Sequence, residues 1–180
     1  MSQYERSIQL YGDGIGRVDY ISHMGTDLTI VNSARVSFGR SKLDMDDRDR
    51  KLVRYLISHK HTSTLEHCVL TFKFTVPLYI RSQHHRHRTW SYNEISRRYT
   101  QKDLRFYCPV KFRTQHKSNR QASDPDNLID PSLWATEGGT LVPAFHPKAS
   151  DTYREHCLSS LRLFEELINK GVCREQARGV

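Results

Sequence analysis

The chain has 180 residues, 37% of them apolar, enough for a core of ordinary size. No apolar run exceeds three residues, so no stretch reads as a membrane-spanning helix. The formal charge of +8 points to an anionic partner, either nucleic acid or a phosphorylated small molecule.

In chain order, "SIQLYGDGIGRVDYIS" predicts two short strands around a glycine-rich turn. Gly12, Gly14 and Gly16 resemble a phosphate loop only superficially, because no helical pattern follows them directly. "MGTDLTIVNSARVSF" leads from a turn into a short helix or strand. "DDRDRKLVRYLISHKH" predicts a helix with acidic residues crowding its start and Leu52, Val53, Leu56 and Ile57 on one face. "LTFKFTV" alternates strictly. It predicts a half-buried strand with Leu70, Phe72, Phe74 and Val76 on the apolar side. Pro77 then suits the first position of a helix carrying "LYIRSQHHRHR".

From Thr114 to Ser150 the periodicity dissolves into a stretch with four of the six prolines and a Gly-Gly pair. It reads as a long surface excursion with at most one short helical turn, which Trp134 is expected to pin to the body. "TYREHCLSSLRLFEELINKG" predicts the best helix of the chain. Thr152 and Glu155 form a capping-box pattern, Leu158, Leu161, Phe164, Leu167 and Ile168 an apolar stripe, and Gly171 a terminator. A new helical start, "CREQARGV", follows. One domain over residues 1–180 is expected, with the excursion at about 114–150. The scattered cysteines, Cys68, Cys108, Cys157 and Cys173, read as reduced thiols. With no basic-then-apolar leader in "MSQYERSIQL", a cytoplasmic location is expected, of the host if the chain is phage-encoded.

The charge concentrates between Arg81 and Arg105, where seven cations face two anions. Arginine suits phosphate because its planar fork pairs two oxygens at once. Glu94 is acceptor-only when ionised, so it can select a ligand N–H or hydroxyl, or orient an arginine. Trp90, Tyr92 and Tyr99 interleave with these charges, as in a site that stacks planar rings. If Leu78 to Arg88 is helical, Gln83, Arg86 and His87 share a face. His59, His61 and His67 stand around Glu66, but "HTSTLEH" lacks the spacing that sets metal ligands on one helical face, so no metal site is expected. No cysteine lies in the polar cluster, and Ser91 and Ser96 lack a nucleophile turn, so covalent catalysis by the protein is not indicated.

The spacing Arg86-His87-Arg88, seven residues, Ser96 resembles the signature of the flavin-dependent thymidylate synthases. "NSARVSF", "RDRKLVRYLISHKHTSTLEH", "SYNEISRRY" and "GVCREQAR" resemble that family in order. The resemblance implies an α/β (α+β) fold with a central mixed or antiparallel sheet and flanking helices. It implies reductive methylation of dUMP to dTMP, with methylenetetrahydrofolate as methylene donor, FAD as hydride carrier, NADPH as reductant, and a homotetramer with shared active sites. By position it puts Ser63, Glu66, Arg86, His87, Arg88 and Glu94 against FAD, with His61 close to the flavin. It puts Gln83, His84, His85, Arg86, Glu94, Ile95, Ser96, Arg97, Arg98 and Arg178 around dUMP. His84 and His85 stand where many members carry bulky apolar residues, Arg97 where a small residue is common, and Cys173 where proline is common. The family continues past "REQAR" into a segment with further flavin contacts and the arginine credited with ionising the uracil. A chain ending at Val180 is therefore expected to be a fragment, a decayed copy, or one half of a split protein completed by a second chain. It is expected not to turn over alone. A nucleic-acid-binding module and a non-catalytic assembly partner are the alternatives. Steep salt dependence would mark the first.

Overall fold

The computed structural model describes residues 6–133, 135–137, 140–142 and 146–180; Trp134 falls outside them. The chain divides into two compact units, Met1–Val76 and Pro77–Val180.

In the first unit, strands β1 (Ser7–Gln9), β2 (Arg17–Met24) and β3 (Val69–Thr75) form an antiparallel sheet in the order β1-β2-β3. The glycine-rich turn between β1 and β2 is a loop closed by its own aspartate. Asp13 Oδ1 accepts the N–H groups of Ile15 and Gly16 at 2.8 and 2.7 Å. The next β2 carboxylate, Asp19, is fully buried and receives Ser7 Oγ at 2.6 Å and Arg17 Nε at 3.0 Å.

Helix α1 (Asp27–Arg35) begins at a capping box in which Thr26 and Thr29 serve each other's backbone. Gly25 before it is held at φ +81°, and a Cβ there would lie 2.7 Å from Cys68 Sγ, so the site demands glycine twice over. A 3-10 turn, Val36–Phe38, ends at left-handed Gly39. Helix α2 (Asp47–Ser58) starts at a second reciprocal cap, Asp46 with Asp49. Ile30 and Val31 of α1 pack with Val53 and Leu56 of α2 to form the unit's core.

Two expectations fail here. Ile57 is 56% exposed, because it lies roughly 100° around the helix from Leu56 and beyond the stripe. The alternation in β3 is real, but Leu70, Phe72 and Phe74 remain 62, 43 and 41% exposed, with Tyr20 edge-on to Phe72 at 6.2 Å. The apolar face of the sheet stays partly exposed.

In the second unit, α3 (Leu78–His84) has Pro77 as its cap, not as its first residue. It is shorter than the sequence predicts, ending at His84. Strands β4 (Phe112–Gln115) and β5 (Ser123–Ile129) form an antiparallel hairpin, and β6 (Ala135–Glu137) with β7 (Thr140–Val142) form another. The expected irregular excursion thus carries two short hairpins. One of its prolines, Pro125, lies in a two-stranded ribbon, where each strand has an unpaired edge that tolerates a missing N–H.

Helix α4 (Ala149–Asn169) begins three residues before Thr152, which instead returns its hydroxyl to the Lys148 carbonyl at 3.1 Å. The expected Thr152–Glu155 box is replaced by a distant residue. Asp130 accepts both the N–H and the hydroxyl of Ser150, each at 2.9 Å. Around this pair the chain pinches shut. Leu133 N–H reaches the Pro147 carbonyl at 2.8 Å, and Ala149 N–H reaches that of Pro131 at 2.9 Å. Cys157 and Phe164 form the buried seam of α4, while Leu158 is 41% exposed. The helix stops as expected at Gly171, φ +87°. Val172 N–H bonds to the Leu167 carbonyl and Gly171 N–H to that of Ile168. Helix α5 (Arg174–Ala177) follows, anchored by fully buried Ala177.

Candidate active site

The turn after α3 builds the cationic cluster. Beyond His84 the backbone closes i to i+3 bonds, Arg86 N–H to Gln83 O at 3.1 Å and His87 N–H to His84 O at 3.0 Å. Two carbonyls of this turn also take a side chain. The Tyr92 hydroxyl lies 2.8 Å from His84 O and 2.9 Å from His87 O, sharing its proton between them. One phenol therefore pins both ends of the turn that carries Arg86. The expected common helical face of Gln83, Arg86 and His87 does not form, because Arg86 and His87 lie past the helix end.

Planar rings fill in behind the turn. His84 meets Trp90 edge-on at 4.6 Å, His85 lies 4.3 Å from Tyr92, and His87 stacks on Trp90 at 5.7 Å. This explains the imidazoles at 84 and 85: they pack as flat rings in an aromatic cluster. Arg86 and Arg88 are exposed beside it, and among the described residues no carboxylate pairs with either.

Glu94 is held from α3. Arg81 forks onto it, with Nε at 2.5 Å from Oε2 and Nη2 on Oε1. Those bonds hold the Glu94 carboxyl below its usual range, helped by the charges of His85 and Arg178, and they raise Arg81. Arg178, just past α5, therefore sits within electrostatic reach of Glu94. Arg81 was missing from the sequence reading. The surplus of cations was visible, but not which one would take the lone glutamate thirteen residues on.

Ser96 opens a turn. Its carbonyl accepts Tyr99 and Thr100 N–H at 3.1 and 3.2 Å, and its hydroxyl accepts Arg98 N–H at 3.3 Å. Arg98 pairs with Glu175 of α5 at 3.4 Å. Arg97 turns to its own loop, giving Nη1 to Lys102 O at 2.6 Å and Nη2 to Asp103 O at 3.2 Å. Ile95 is 66% exposed. Gln83, His84, His85, Arg86, Glu94, Ile95, Ser96, Arg97, Arg98 and Arg178 all belong to this second unit. Ser63 and Glu66 are exposed on the 3-10 turn Thr62–His67 of the first unit, with His61 as its cap. Cys157 is no nucleophile at neutral pH: burial, and then Cys108 beside it, push its thiol up to about 11.

The family model described as thymidylate synthase complementing protein matches residues 19–180. The chain belongs to this family. Among curated members of it, the flavin-dependent thymidylate synthase of Thermus thermophilus is 38% identical over 165 residues, covering 92% of this chain and 54% of that protein. That of Kosmotoga olearia is 36% identical over 163 residues, covering 91% and 64%. The chain thus spans roughly half to two thirds of these relatives. A solved structure of the UMP/dUMP methylase PolB from Streptomyces cacaoi, bound with 5-Br dUMP, superposes with a TM-score of 0.61 at 26% identity, covering 96% of this chain and 69% of that one. The sheets are antiparallel, as the resemblance implies for this family.

Proposed function

We propose that this chain carries the nucleotide- and flavin-binding part of a flavin-dependent thymidylate synthase, which methylates dUMP reductively to dTMP. The observation that carries this reading is the Tyr92-pinned turn, which leaves Arg86 and Arg88 exposed, with no carboxylate partner among the described residues, on either side of His87, which stacks on Trp90, in a chain of this family. Two open guanidiniums next to flat rings suit a diphosphate joined to an aromatic system, so the donor set fits FAD. FAD supplies the hydride; the methylene comes from methylenetetrahydrofolate, and NADPH is the reductant.

Arg86, His87 and Arg88 hold the flavin nucleotide in this reading, and the family resemblance assigns Ser63, Glu66 and His61 to flavin as well. Gln83, His84, His85, Arg86, Glu94, Ile95, Ser96, Arg98 and Arg178 surround dUMP. The arginines meet its phosphate and the uracil oxygens, where fixed cations favour developing negative charge without changing protonation. Arg97 serves the same site indirectly, by holding the loop at Lys102 and Asp103. A homotetramer is the assembly of this reading, and the partly exposed β3 face suits an association surface, because exposed aromatic patches of this kind mark such surfaces. No described helix is long and apolar enough to cross a membrane, and the reading places the enzyme in the cytoplasm.

Titration with FAD tests this. The protein should acquire bound-flavin absorbance, and Arg86→Ala should lose it. Equal binding by both proteins would overturn the assignment. A general polyanion binder would instead take up single- or double-stranded nucleic acid, with affinity falling steeply as salt rises.

A further inference from the structure

The reading above gives Glu94 to the ligand but does not say what holds Glu94. Three cationic or titratable groups face it: Arg81 from α3, His85 at the end of α3, and Arg178 after α5. Among the described residues only Arg81 bonds it directly, through both carboxylate oxygens. A carboxylate has about four lone-pair positions, and the fork uses one on each oxygen. Glu94 is 49% exposed at its side chain, so the remaining positions are open.

We propose that Arg81 is a positioning residue for the nucleotide: it fixes the Glu94 carboxylate with one open acceptor on each oxygen. Without the fork the Glu94 side chain would be free to rotate, and its open lone pairs would no longer be held at one angle. With the fork in place the local field also stays positive overall, which an anionic substrate requires. This inference rests on the reading that Glu94 meets dUMP.

The test compares the full chain with Arg81→Ala, Arg81→Lys, Glu94→Gln and the Arg81→Ala/Glu94→Gln double variant. Calorimetry reads dUMP affinity, and carboxyl-carbon NMR reads the titration of Glu94 without ligand. Arg81→Ala should weaken dUMP by about tenfold, the scale of one charge-assisted contact. It should also move the Glu94 titration to higher pH. Dependence of binding on ionised Glu94 is full above that titration and lost as pH falls through it, so in Arg81→Ala affinity should fail at a higher pH. Arg81→Lys should restore the titration through its charge but only part of the affinity, because a point charge does not fix the angle. In the Glu94→Gln background, removing Arg81 should cost no further affinity.

An additive loss in the double variant would overturn the proposal, since Arg81 would then act on the ligand without Glu94. An unmoved Glu94 titration in Arg81→Ala would overturn it whether or not dUMP binds. If the unaltered chain binds no dUMP while the titration does move, the clamp stands and the reading of the site falls. Arg81→Lys guards against misfolding: native circular dichroism with unaltered affinity in both Arg81 variants would also overturn the proposal.

Discussion

Two carboxylates in this molecule are held by basic side chains and serve opposite ends. Asp49 in the first unit is fully buried, with Arg35 Nη2 at 2.5 Å on one oxygen and Lys42 Nζ at 2.6 Å on the other. The Asp46 N–H takes the second oxygen as well, at 3.0 Å, and Asn32 clasps the backbone of Lys42 through two bonds of 2.9 Å. Asp49 is enclosed within its own chain: Oδ2 is saturated, while Oδ1 keeps only its ion pair with Arg35, whose Nη1 is buried with no hydrogen-bond partner among the described residues. Among the described residues Glu94 has one direct hydrogen-bonding partner and an open side. The difference teaches that an ion pair is read by its enclosure. A closed one fixes a loop to a helix cap, while an open one is available to something that arrives later.

Breaking the closed cluster should have the largest effect. Asp49→Ala strands Arg35 and Lys42 without their shared acceptor, and should lower the thermal midpoint by several degrees with no direct effect on ligand contacts. Its pH signature has a definite sign. Asp46 and Asp49 are held below the ordinary carboxylate range, chiefly by the Lys42 hydrogen bond, and Lys42 is raised by the same bonds. The stabilisation is therefore full above about 3.9, the unfolded aspartate value, and fades as pH falls from there through the lower folded values. At the alkaline end it is complete below the usual lysine value of about 10.4 and fades as pH rises through the higher folded one. Urea midpoints across pH should show both slopes in the unaltered protein and shallower ones in Asp49→Ala, where the Lys42–Asp46 pair remains.

The open cluster should answer in affinity instead of stability. Arg98→Ala should weaken dUMP by roughly 1.5–3 kcal/mol in calorimetry. Its melting temperature should barely move, because its exposed pairing with Glu175 at 3.4 Å is of the kind worth about 0–1 kcal/mol. A stable protein with unchanged dUMP affinity would remove Arg98 from the ligand contacts.

Tyr92→Phe should have the smallest effect and lie between the two kinds. It frees the His84 and His87 carbonyls, which can turn to water, at a cost of about 1 kcal/mol of stability by urea titration. It should loosen FAD through the Arg86 turn while leaving the ring packing in place. Stability and FAD affinity both unchanged would show that the turn holds itself.

What the sequence made legible follows range. α2, α4 and β3 announce themselves by local periodicity, and Gly171 by a local backbone need. The same local view does not show that the apolar side of β3 stays partly exposed, since alternation says which side is apolar and not what covers it. It extended α3 past His84, because a tyrosine eight residues later claims that carbonyl. It gave α4 the wrong cap, because the true one comes from Asp130, twenty residues before Ser150. In the site, the Arg86–Arg88 cluster was legible through its resemblance to a family motif. The Arg81 fork was not, because pairing across a loop leaves no mark in spacing.

The pinch between 130–133 and 147–150 carries a consequence for editing the protein. The Asp130–Ser150 contacts and the two backbone bonds beside them already hold the ends of the intervening segment together. Closure is settled at the neck, and changing the length of what hangs from it alters the closure entropy only logarithmically. The segment is therefore a natural cassette. A reporter, an affinity handle or a trimmed linker placed there would draw little on the helix that starts below it.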